Sequence, residues 1–301
     1  MIHRQDLQIR DPFILPASSE QRYYLFGTTD KDPWNRKGVG FNAYYSSDLE
    51  HFEGPFQVFS PSDGFWGTHD FWAPEPHIYR GRYYLLATFT SEKHRRGTQI
   101  LSSASILGPY EPLVNTAITP EEWECLDGTL HVDDAGTAWM IFCHEWVQIN
   151  DGAICAMSLS PDLIRAAGVP RLLFRSSAAP WSRPQERRDG SGIRDARVTD
   201  GPFLHRQQDG QLVMLWSSLG EQGYAMGCAV SESGSVTGPW RQNPEPLVIR
   251  DGGHGMVFRD FSGRLQMTWH TPNTTPYERF VYHEVRESPE GLILTDPTEE
   301  L

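Results

Sequence analysis

The fold is decided by the stretch Arg22-Tyr23-Tyr24-Leu25-Phe26-Gly27-Thr28, which has the residue types of a β-strand and recurs in altered form along the 301-residue chain. The four recurrences are residues 82–88, 137–143, 211–217 and 264–270. A polar turn precedes each of the five, and before the turn lies a shorter predicted strand, at 11–15, 73–79, 127–132, 200–205 and 254–258. Self-similarity at about fifty to seventy residues predicts a β-propeller with one four-stranded sheet in each repeat.

A third predicted strand strengthens this interpretation. It lies at residues 42–49, 98–103, 153–160, 224–231 and 279–286. No long amphipathic helical period occurs, so we expect an all-β chain. A β-sandwich or jelly roll also uses many short strands, but five aligned repeats favour the propeller. We find no linker and predict one five-bladed domain over residues 1–301, with the irregular segment 176–197 as a long loop on its top face.

Composition limits the classes of function. The formal net charge of −13 disfavours a nucleic-acid groove and suits a neutral substrate handled by carboxylates. The four cysteines show no CxxC spacing, so neither a zinc site nor a redox pair is indicated. The first residues lack the apolar core of a signal peptide, and no apolar run approaches membrane-spanning length. We therefore expect a cytoplasmic protein with no membrane or nucleic-acid partner.

The chemistry is indicated by where the acidic residues fall. The first strand of a propeller blade is innermost, so residues at its start converge around the axis. Asp11, Asp127 and Asp200 are predicted at that position in repeats one, three and four, and Glu145 follows the second strand of repeat three. Hydrolysis of a glycosidic bond needs two carboxyl groups, one acting as base and one as acid. An Asp before Pro or Gly is often only a turn residue, but three at one repeat position favour a site that needs no cofactor.

From Arg10-Asp11-Pro12-Phe13 to about Arg286, the chain resembles the five-bladed propeller glycosidases of glycoside hydrolase family 43. The resemblance implies that Asp11 is the general base. It also implies that Asp127, which precedes an Asp-Asp-x-Gly turn, is the acid that orients and tunes the proton donor. The run Trp72-Ala73-Pro74-Glu75 is similar to the second-blade signature of the family, which makes Trp72 a sugar-facing wall.

One departure from the family concerns the general acid. The family usually carries Glu in a Glu-Gly-Pro motif at the start of the fourth blade, whereas this chain reads Asp200-Gly201-Pro202. Aspartate is one methylene shorter than glutamate, so Glu145 is a second candidate for the general acid. The longer side chain of Glu145 and its position beside Asp127 favour Glu145 slightly on the sequence alone. Whichever of the two is not the acid is expected to bind a sugar hydroxyl. A propeller that has lost its acid and only binds sugar is the remaining alternative.

Further residues are predicted to contact the substrate or an ion. Glu75 is either a ligand contact or a structural carboxylate, and Trp146 is expected to bind substrate. His254 opens the fifth blade, where relatives carry a histidine near an axial metal ion, so the resemblance implies a possible axial Ca²⁺ beside His254; a structural histidine is the alternative. Four aromatic residues are either sugar platforms or buried packing, namely Trp34, Phe65, Trp66 and Trp146.

The resemblance implies an exo-acting, inverting glycoside hydrolase that releases terminal furanose or pentose residues from a small oligosaccharide or glycoside. An α-L-arabinofuranosidase is the first expectation, and β-xylosidase and β-galactofuranosidase are alternatives. The fructan-cleaving propellers share motifs similar to Arg10-Asp11-Pro12 and Trp123-Glu124-Cys125, but their nucleophile would have to precede residue 10. A mannoside phosphorylase would need a cluster of Arg and His aimed at a phosphate, and only the segment 183–197 could provide one.

Overall fold

A computed structural model describes residues 1–187 and 189–295 and arranges them as five antiparallel sheets around one axis. The innermost strand of each sheet packs against the innermost strand of the next, and that of the last sheet packs against that of the first. The five-bladed all-β propeller predicted from the sequence is therefore confirmed.

The strands of each blade follow one another in chain order from the axis outwards. Blade one contains β2 (Arg10–Ala17), β3 (Arg22–Thr28), β4 (Phe41–Ser46) and β5 (His51–Phe59), with β1 (Ile2–His3) added at its outer edge. Blade two contains β6 (His69–Tyr79), β7 (Arg82–Ser91), β8 (His94–Ser103) and β9 (Glu111–Pro112). Blade three contains β10 (Cys125–Val132), β11 (Ala138–His144), β12 (Ala153–Ser158) and β13 (Arg171–Arg175).

Blades four and five complete the ring. Blade four contains β14 (Asp200–Arg206), β15 (Leu212–Gly220), β16 (Gly223–Ser231) and β17 (Trp240–Gln242). Blade five contains β18 (Gly253–Arg259), β19 (Leu265–Thr271), β20 (Arg279–Ser288) and β21 (Gly291–Leu294). The described residues form only one α-helical turn, α1 (Trp146–Ile149), and two 3₁₀ turns, Arg4–Asp6 and Ser176–Ala178.

Aromatic side chains from the strands fill the space between blades. Phe71 of blade two meets Phe89 edge to face, with ring centroids 4.8 Å apart, and Phe41 of blade one lies 5.8 Å from Phe71. Such pairs contribute about 0.5–1.5 kcal/mol each beyond the burial of their area. Trp216 and Trp269 are fully buried in blades four and five. The recurring aromatic strands therefore join neighbouring sheets as well as forming them.

Every innermost strand has a β-bulge near its start, in which two residues face one residue of the second strand. Strand β6 has a further bulge at Asp70, before the equivalent one at Ala73. The first residue of the bulge has a positive φ in all five blades: Asp11 (52°), Ala73 (46°), Asp127 (54°), Gly201 (48°) and His254 (50°). Asp11, Asp127 and His254 are therefore equivalent positions. The prediction that Asp200 shares this position was wrong by one residue: Asp200 precedes the bulge and pairs with Ser217, as Arg10 of blade one precedes the bulge and pairs with Thr28.

Three further expectations can be compared with the fold. In the described part of the segment 176–197, the regular structure is the turn Ser176–Ala178 and two bridges, Gln185 to Ala196 and Arg197 to Asp151. All four cysteines are buried and free. Within the described ranges, no helix has both the length and the apolar character needed to cross a membrane. The cytoplasmic location stays a prediction.

Candidate active site

Asp11 is held as a carboxylate at the start of β2. The Thr28 hydroxyl accepts the Ala73 N–H at 2.8 Å, so its own proton is directed to Asp11 Oδ2, also at 2.8 Å. His254 Nδ1 lies 3.2 Å from the other oxygen, Oδ1. Burial raises the pKa of Asp11, but the positive neighbours, of which His254 and Arg10 contribute most, outweigh it, and the pKa lies below its ordinary value. Asp11 is thus ionised and able to accept a proton.

Asp127 occupies the equivalent position in blade three and reaches into blade four. Its Oδ2 accepts the Gly201 N–H at 3.0 Å and lies 3.6 Å from His254 Nδ1. Burial and the negative charge of Asp11 raise its pKa well above the ordinary range, while the Gly201 N–H opposes the rise. The structure therefore brings Asp11 and Asp127 together against one histidine from blade five.

Asp200 lies next to this pair and is more open to solvent. As a whole residue Asp200 is partly exposed, whereas Asp11 and Asp127 are buried. The Tyr224 hydroxyl donates to Asp200 Oδ2 at 3.1 Å. Burial, followed by the negative charge of Asp127, raises the pKa of Asp200 to about 7. A carboxyl group with this pKa carries a proton for much of the time near neutral pH, which is the property a proton donor needs.

Glu145 directly precedes α1 and is the N-terminal cap residue of this helical turn. Its carboxylate is buried and paired with the Arg96 guanidinium, which also contacts Asp70 Oδ2 at 2.8 Å. Burial raises the pKa of Glu145, and Arg96 opposes that rise. Glu145 also adds to the negative surroundings that raise the pKa of Asp200. It therefore lies at the site, but with a cation as its direct partner.

Two tryptophans and two arginines line one side of the site. The Trp72 indole N–H donates to the Pro33 carbonyl at 2.9 Å, and the Arg96 guanidinium lies 4.6 Å from the centre of the Trp72 ring. Trp34 meets Trp72 edge to face at 4.9 Å, and the Arg10 guanidinium lies 5.1 Å from the Trp34 ring. Trp34 is 51% exposed. We refer to Arg10, Trp34, Trp72 and Arg96 as the aromatic wall.

The cations of the wall were not predicted from the sequence. Arg10 is anchored by Glu278, which is fully buried, through a 2.8 Å ion pair to Oε1. The adjacency of Arg10 to Asp11 was a usable signal for Arg10. Arg96 begins no motif, and only the fold places it beside Glu145.

Tyr224, which the sequence analysis did not single out, and His270 also belong to the site. Their rings stack at 5.7 Å, and His270 Nδ1 accepts the Asp11 N–H at 3.1 Å. The second nitrogen of His270, Nε2, lies 3.2 Å from Asn273 Oδ1 and serves as donor, because Nδ1 is the acceptor. Burial, followed by the charge of Arg10, lowers the pKa of His270 to about 3. His270 is therefore neutral and fixes the backbone of the base.

The other residues predicted to contact the substrate are one carboxylate and three aromatic residues. Glu75 is buried and lies 3.2 Å from His77 Nε2, and its charge contributes to the raised pKa of Asp127. Trp146 lies beside the guanidinium of Arg187, 5.7 Å from its ring centre. Phe65 is buried among aromatic rings between blades one and two and is not a sugar platform. Trp66, whose indole N–H donates to Gln99, packs against that same cluster.

In the part of the chain that the structure describes, the residues around His254 do not form a ligand set for the axial metal that the resemblance implies. No group of three or more His, Cys, Asp or Glu side chains is arranged there to hold an ion. The Nδ1 atom of His254 faces two aspartates, as above, and Ca²⁺ requires six to eight oxygen ligands. We therefore derive no step through a metal, and the axial Ca²⁺ stays a prediction.

Comparison with known proteins gives one family and a consistent group of structures. The sequence model of the family described as "Glycosyl hydrolases family 43" matches residues 6–287. A crystal structure described as endo-arabinase from Bacteroides thetaiotaomicron is 44% identical, with a TM-score of 0.88, and the match covers 97% of this chain and 99% of that one. A structure described as a thermostable family-43 glycoside hydrolase is 23% identical, with a TM-score of 0.79, over 98% and 95% of the two chains, and shows likeness of fold alone.

A curated relative from Emericella nidulans is described as "Probable arabinan endo-1,5-alpha-L-arabinosidase A". It is 27% identical over 157 residues, which are 47% of this chain and 44% of that protein. The match thus spans less than half of the relative's length.

Proposed function

The chain belongs to glycosyl hydrolases family 43, a family of inverting glycosidases, and on that premise we propose that it cleaves α-1,5-L-arabinan from within the polymer. In this proposal Asp11 is the base, Asp200 the proton donor and Asp127 the neighbouring carboxyl group, held by the Gly201 N–H and with its own pKa also raised. The observation that carries the proposal is the separation of two pKa values at one site: that of Asp11 is lowered and that of Asp200 is raised to about 7. Carboxyl groups pushed apart in this way divide into base and acid.

The reaction is a single displacement. A water molecule attacks the anomeric carbon of one arabinofuranosyl unit while Asp11 takes its proton. The bond from that carbon to O5 of the next unit breaks, and Asp200 gives its proton to O5. The anomeric configuration inverts, and Asp11 and Asp200 exchange protons with solvent to return to their starting states.

Two observations support Asp200 over Glu145 as the donor. Asp200 is partly exposed and accepts a hydrogen bond from a neutral hydroxyl, that of Tyr224, whereas Glu145 is buried against a guanidinium. An opposite charge at contact distance favours the ionised form of a carboxyl group. We therefore assign Glu145 the role of holding Arg96 against Trp72, where the guanidinium and the indole face contribute to the aromatic wall.

The proposed substrate class and mode of cleavage follow two relatives, which are 44% and 27% identical to this chain over their matched residues. The Bacteroides protein and the Emericella protein are both described as endo-acting on arabinan. The exposed Trp34, next to Trp72, offers an apolar surface for a sugar ring beyond the cleaved bond, which an internal cut in a polymer uses. Release of terminal arabinose by an exo-acting α-L-arabinofuranosidase, expected from the sequence, is the second outcome of the experiment below.

The experiment is hydrolysis of linear α-1,5-L-arabinan, with products separated by chromatography at less than about 5% conversion, so that internal and terminal cuts are distinguished before products are cut again. We expect a series of arabino-oligosaccharides and a rapid fall in viscosity. Arabinose as the sole early product would show exo action. Activity on xylan or aryl xylosides, without activity on arabinan, would refute the proposed substrate. Asp11→Asn serves as the control for contaminating activity.

A further inference from the structure

The five bulges are tied to one another by a ring of hydrogen bonds between adjacent blades. In each blade the first bulge residue donates its backbone N–H to a side chain of the preceding blade. The five bonds are Ala73 to Thr28 Oγ1 (2.8 Å), Asp127 to Thr88 Oγ1 (3.0 Å), Gly201 to Asp127 Oδ2 (3.0 Å), His254 to Ser217 Oγ (2.8 Å) and Asp11 to His270 Nδ1 (3.1 Å). All five donors are buried, so each needs its acceptor.

Four of the acceptors share one position on the second strand, directly opposite the residue that precedes the bulge. They are Thr28, Thr88, Ser217 and His270. In blade three this position is Cys143, which pairs with Leu126. A thiol is a weak acceptor, and the Gly201 N–H bonds instead to the carboxylate of Asp127. The ring is complete only because a catalytic-site carboxylate replaces the missing acceptor.

Blades one and three show what this replacement does to an aspartate. Asp11 and Asp127 are equivalent, but Thr28 stands between Asp11 and the next blade: its hydroxyl accepts the Ala73 N–H and donates to Asp11. With Cys143 in place of a hydroxyl, Asp127 contacts the N–H of the next blade directly. The residue that donates this N–H, Gly201, directly follows Asp200 in the sequence.

We propose that Cys143 is a positioning residue: because it offers no hydroxyl, the carboxylate of Asp127 extends across the blade boundary to Gly201 and is fixed beside Asp200. The thiol is fully buried, and burial, followed by the charges of Asp127 and Asp200, raises its pKa well above the ordinary value. The expected effect on the rate rests on the proposed function, whereas the expected effect on the position of Asp127 rests on geometry alone.

The test replaces Cys143 with serine. The new hydroxyl is expected to repeat the arrangement of Thr28, accepting the Gly201 N–H and donating to Asp127, so that the crystal structure shows Gly201 N more than 3.5 Å from both Asp127 oxygens. Since small misplacements of catalytic groups cost much rate, we expect kcat on arabinan to fall about tenfold or more, with KM within about twofold of wild type. An aryl glycoside with a good leaving group should lose much less.

Two further variants isolate the cause. Cys143→Ala supplies no hydroxyl, so the hydrogen bond from Gly201 to Asp127 should remain. The kcat of Cys143→Ala should therefore stay at least about five times higher than that of Cys143→Ser. Cys155→Ser introduces a hydroxyl at another buried cysteine of the same blade, in β12, and should leave kcat within about twofold. If Cys143→Ser does not fold, the alanine variant decides the question, because loss of its Gly201–Asp127 bond would overturn the proposal.

The outcomes separate this inference from the proposed function. A serine variant that keeps the direct Gly201–Asp127 bond, or that keeps wild-type kcat after losing it, would overturn the role of Cys143. If the wild-type protein does not cleave arabinan, the proposed function fails, yet the crystal structures of the two Cys143 variants still test whether the thiol sets the position of Asp127.

Discussion

Replacing Asp200 with asparagine removes the proton that the leaving oxygen needs and keeps the shape of the side chain. The wild-type carboxyl has a pKa raised to about 7, so that it carries a proton for much of the time near neutral pH. The amide can still accept the Tyr224 hydroxyl, which bonds Oδ2 in the wild type. We therefore expect Asp200→Asn to fold normally and to fail specifically in proton donation.

The size of the loss depends on the leaving group. Proton transfer from a positioned acid contributes about 10²–10⁴-fold to the rate. On arabinan or an arabino-oligosaccharide, whose leaving oxygen is strongly basic, Asp200→Asn should lose that whole factor. On an activated aryl α-L-arabino-oligoside the leaving group departs without protonation, so the loss should stay below about tenfold.

Glu145→Gln is the matched variant, and its defect should lie elsewhere. It removes one carboxylate partner of Arg96, which keeps Asp70. The amide oxygen can still accept from Arg96, so the variant loses the attraction between opposite charges and not the hydrogen bond, which should cost about 1–2 kcal/mol of unfolding free energy. For a domain of this size we expect a fall in Tm of a few degrees, about 2 °C for each kcal/mol, with similar rate losses on both substrates.

The assay is kcat/KM for both variants on both substrates, measured from pH 4 to pH 9. Because Asp200 must be protonated to act, wild-type activity on arabinan should fall as the pH rises through about 7, and this limb should be absent in Asp200→Asn. The reasoning would be refuted if Glu145→Gln, and not Asp200→Asn, showed the loss confined to the poor leaving group.

Three more predictions follow from the site. Asp11→Asn should lower hydrolysis of both substrates by at least about 10²-fold, with oligosaccharide affinity in calorimetry close to wild type, since the amide cannot take the proton of water; turnover near wild type would remove Asp11 from the mechanism. Proton NMR of the first product should show inverted anomeric configuration, as expected for carboxyl groups about 6.5–9.5 Å apart with room for a water between them; a retained product would favour a covalent intermediate. Chelation followed by Ca²⁺ titration tests the ion implied for His254: with only one predicted ligand in place, we expect no change in Tm, and a calcium-dependent rise in Tm would restore the axial ion.

Much of the architecture could be predicted because it depends on local patterns. Strands such as Tyr23-Tyr24-Leu25-Phe26 are short runs of aromatic and aliphatic residues, which can be recognised without any tertiary contact. The number of such repeated units gives the number of blades. The charged residues at strand starts were recognised for the same reason. Asp11 and Asp127 lie where the sequence analysis placed them, at the inner end of their blades.

What the sequence could not decide depends on register and on contacts between distant segments. The bulge of blade four begins at Gly201 and not at Asp200, and only the pairing with β15 shows which residue begins it. The residue that pairs with a buried carboxylate cannot be predicted from the sequence either, because the two can lie far apart in the chain: Arg96 lies 49 positions before Glu145.

The sequence by itself therefore determined the repeat, the all-β class and the set of acids available to the site, because strand propensity and periodicity are properties of short segments. Only the tertiary structure decided which acid is paired with a cation, which is free to hold a proton, and how Asp127 bridges to the next blade at Gly201. Those properties arise from burial and from charges brought within a few ångströms by the closing of the ring, where the cost of desolvating a carboxylate is large enough to move its pKa by several units.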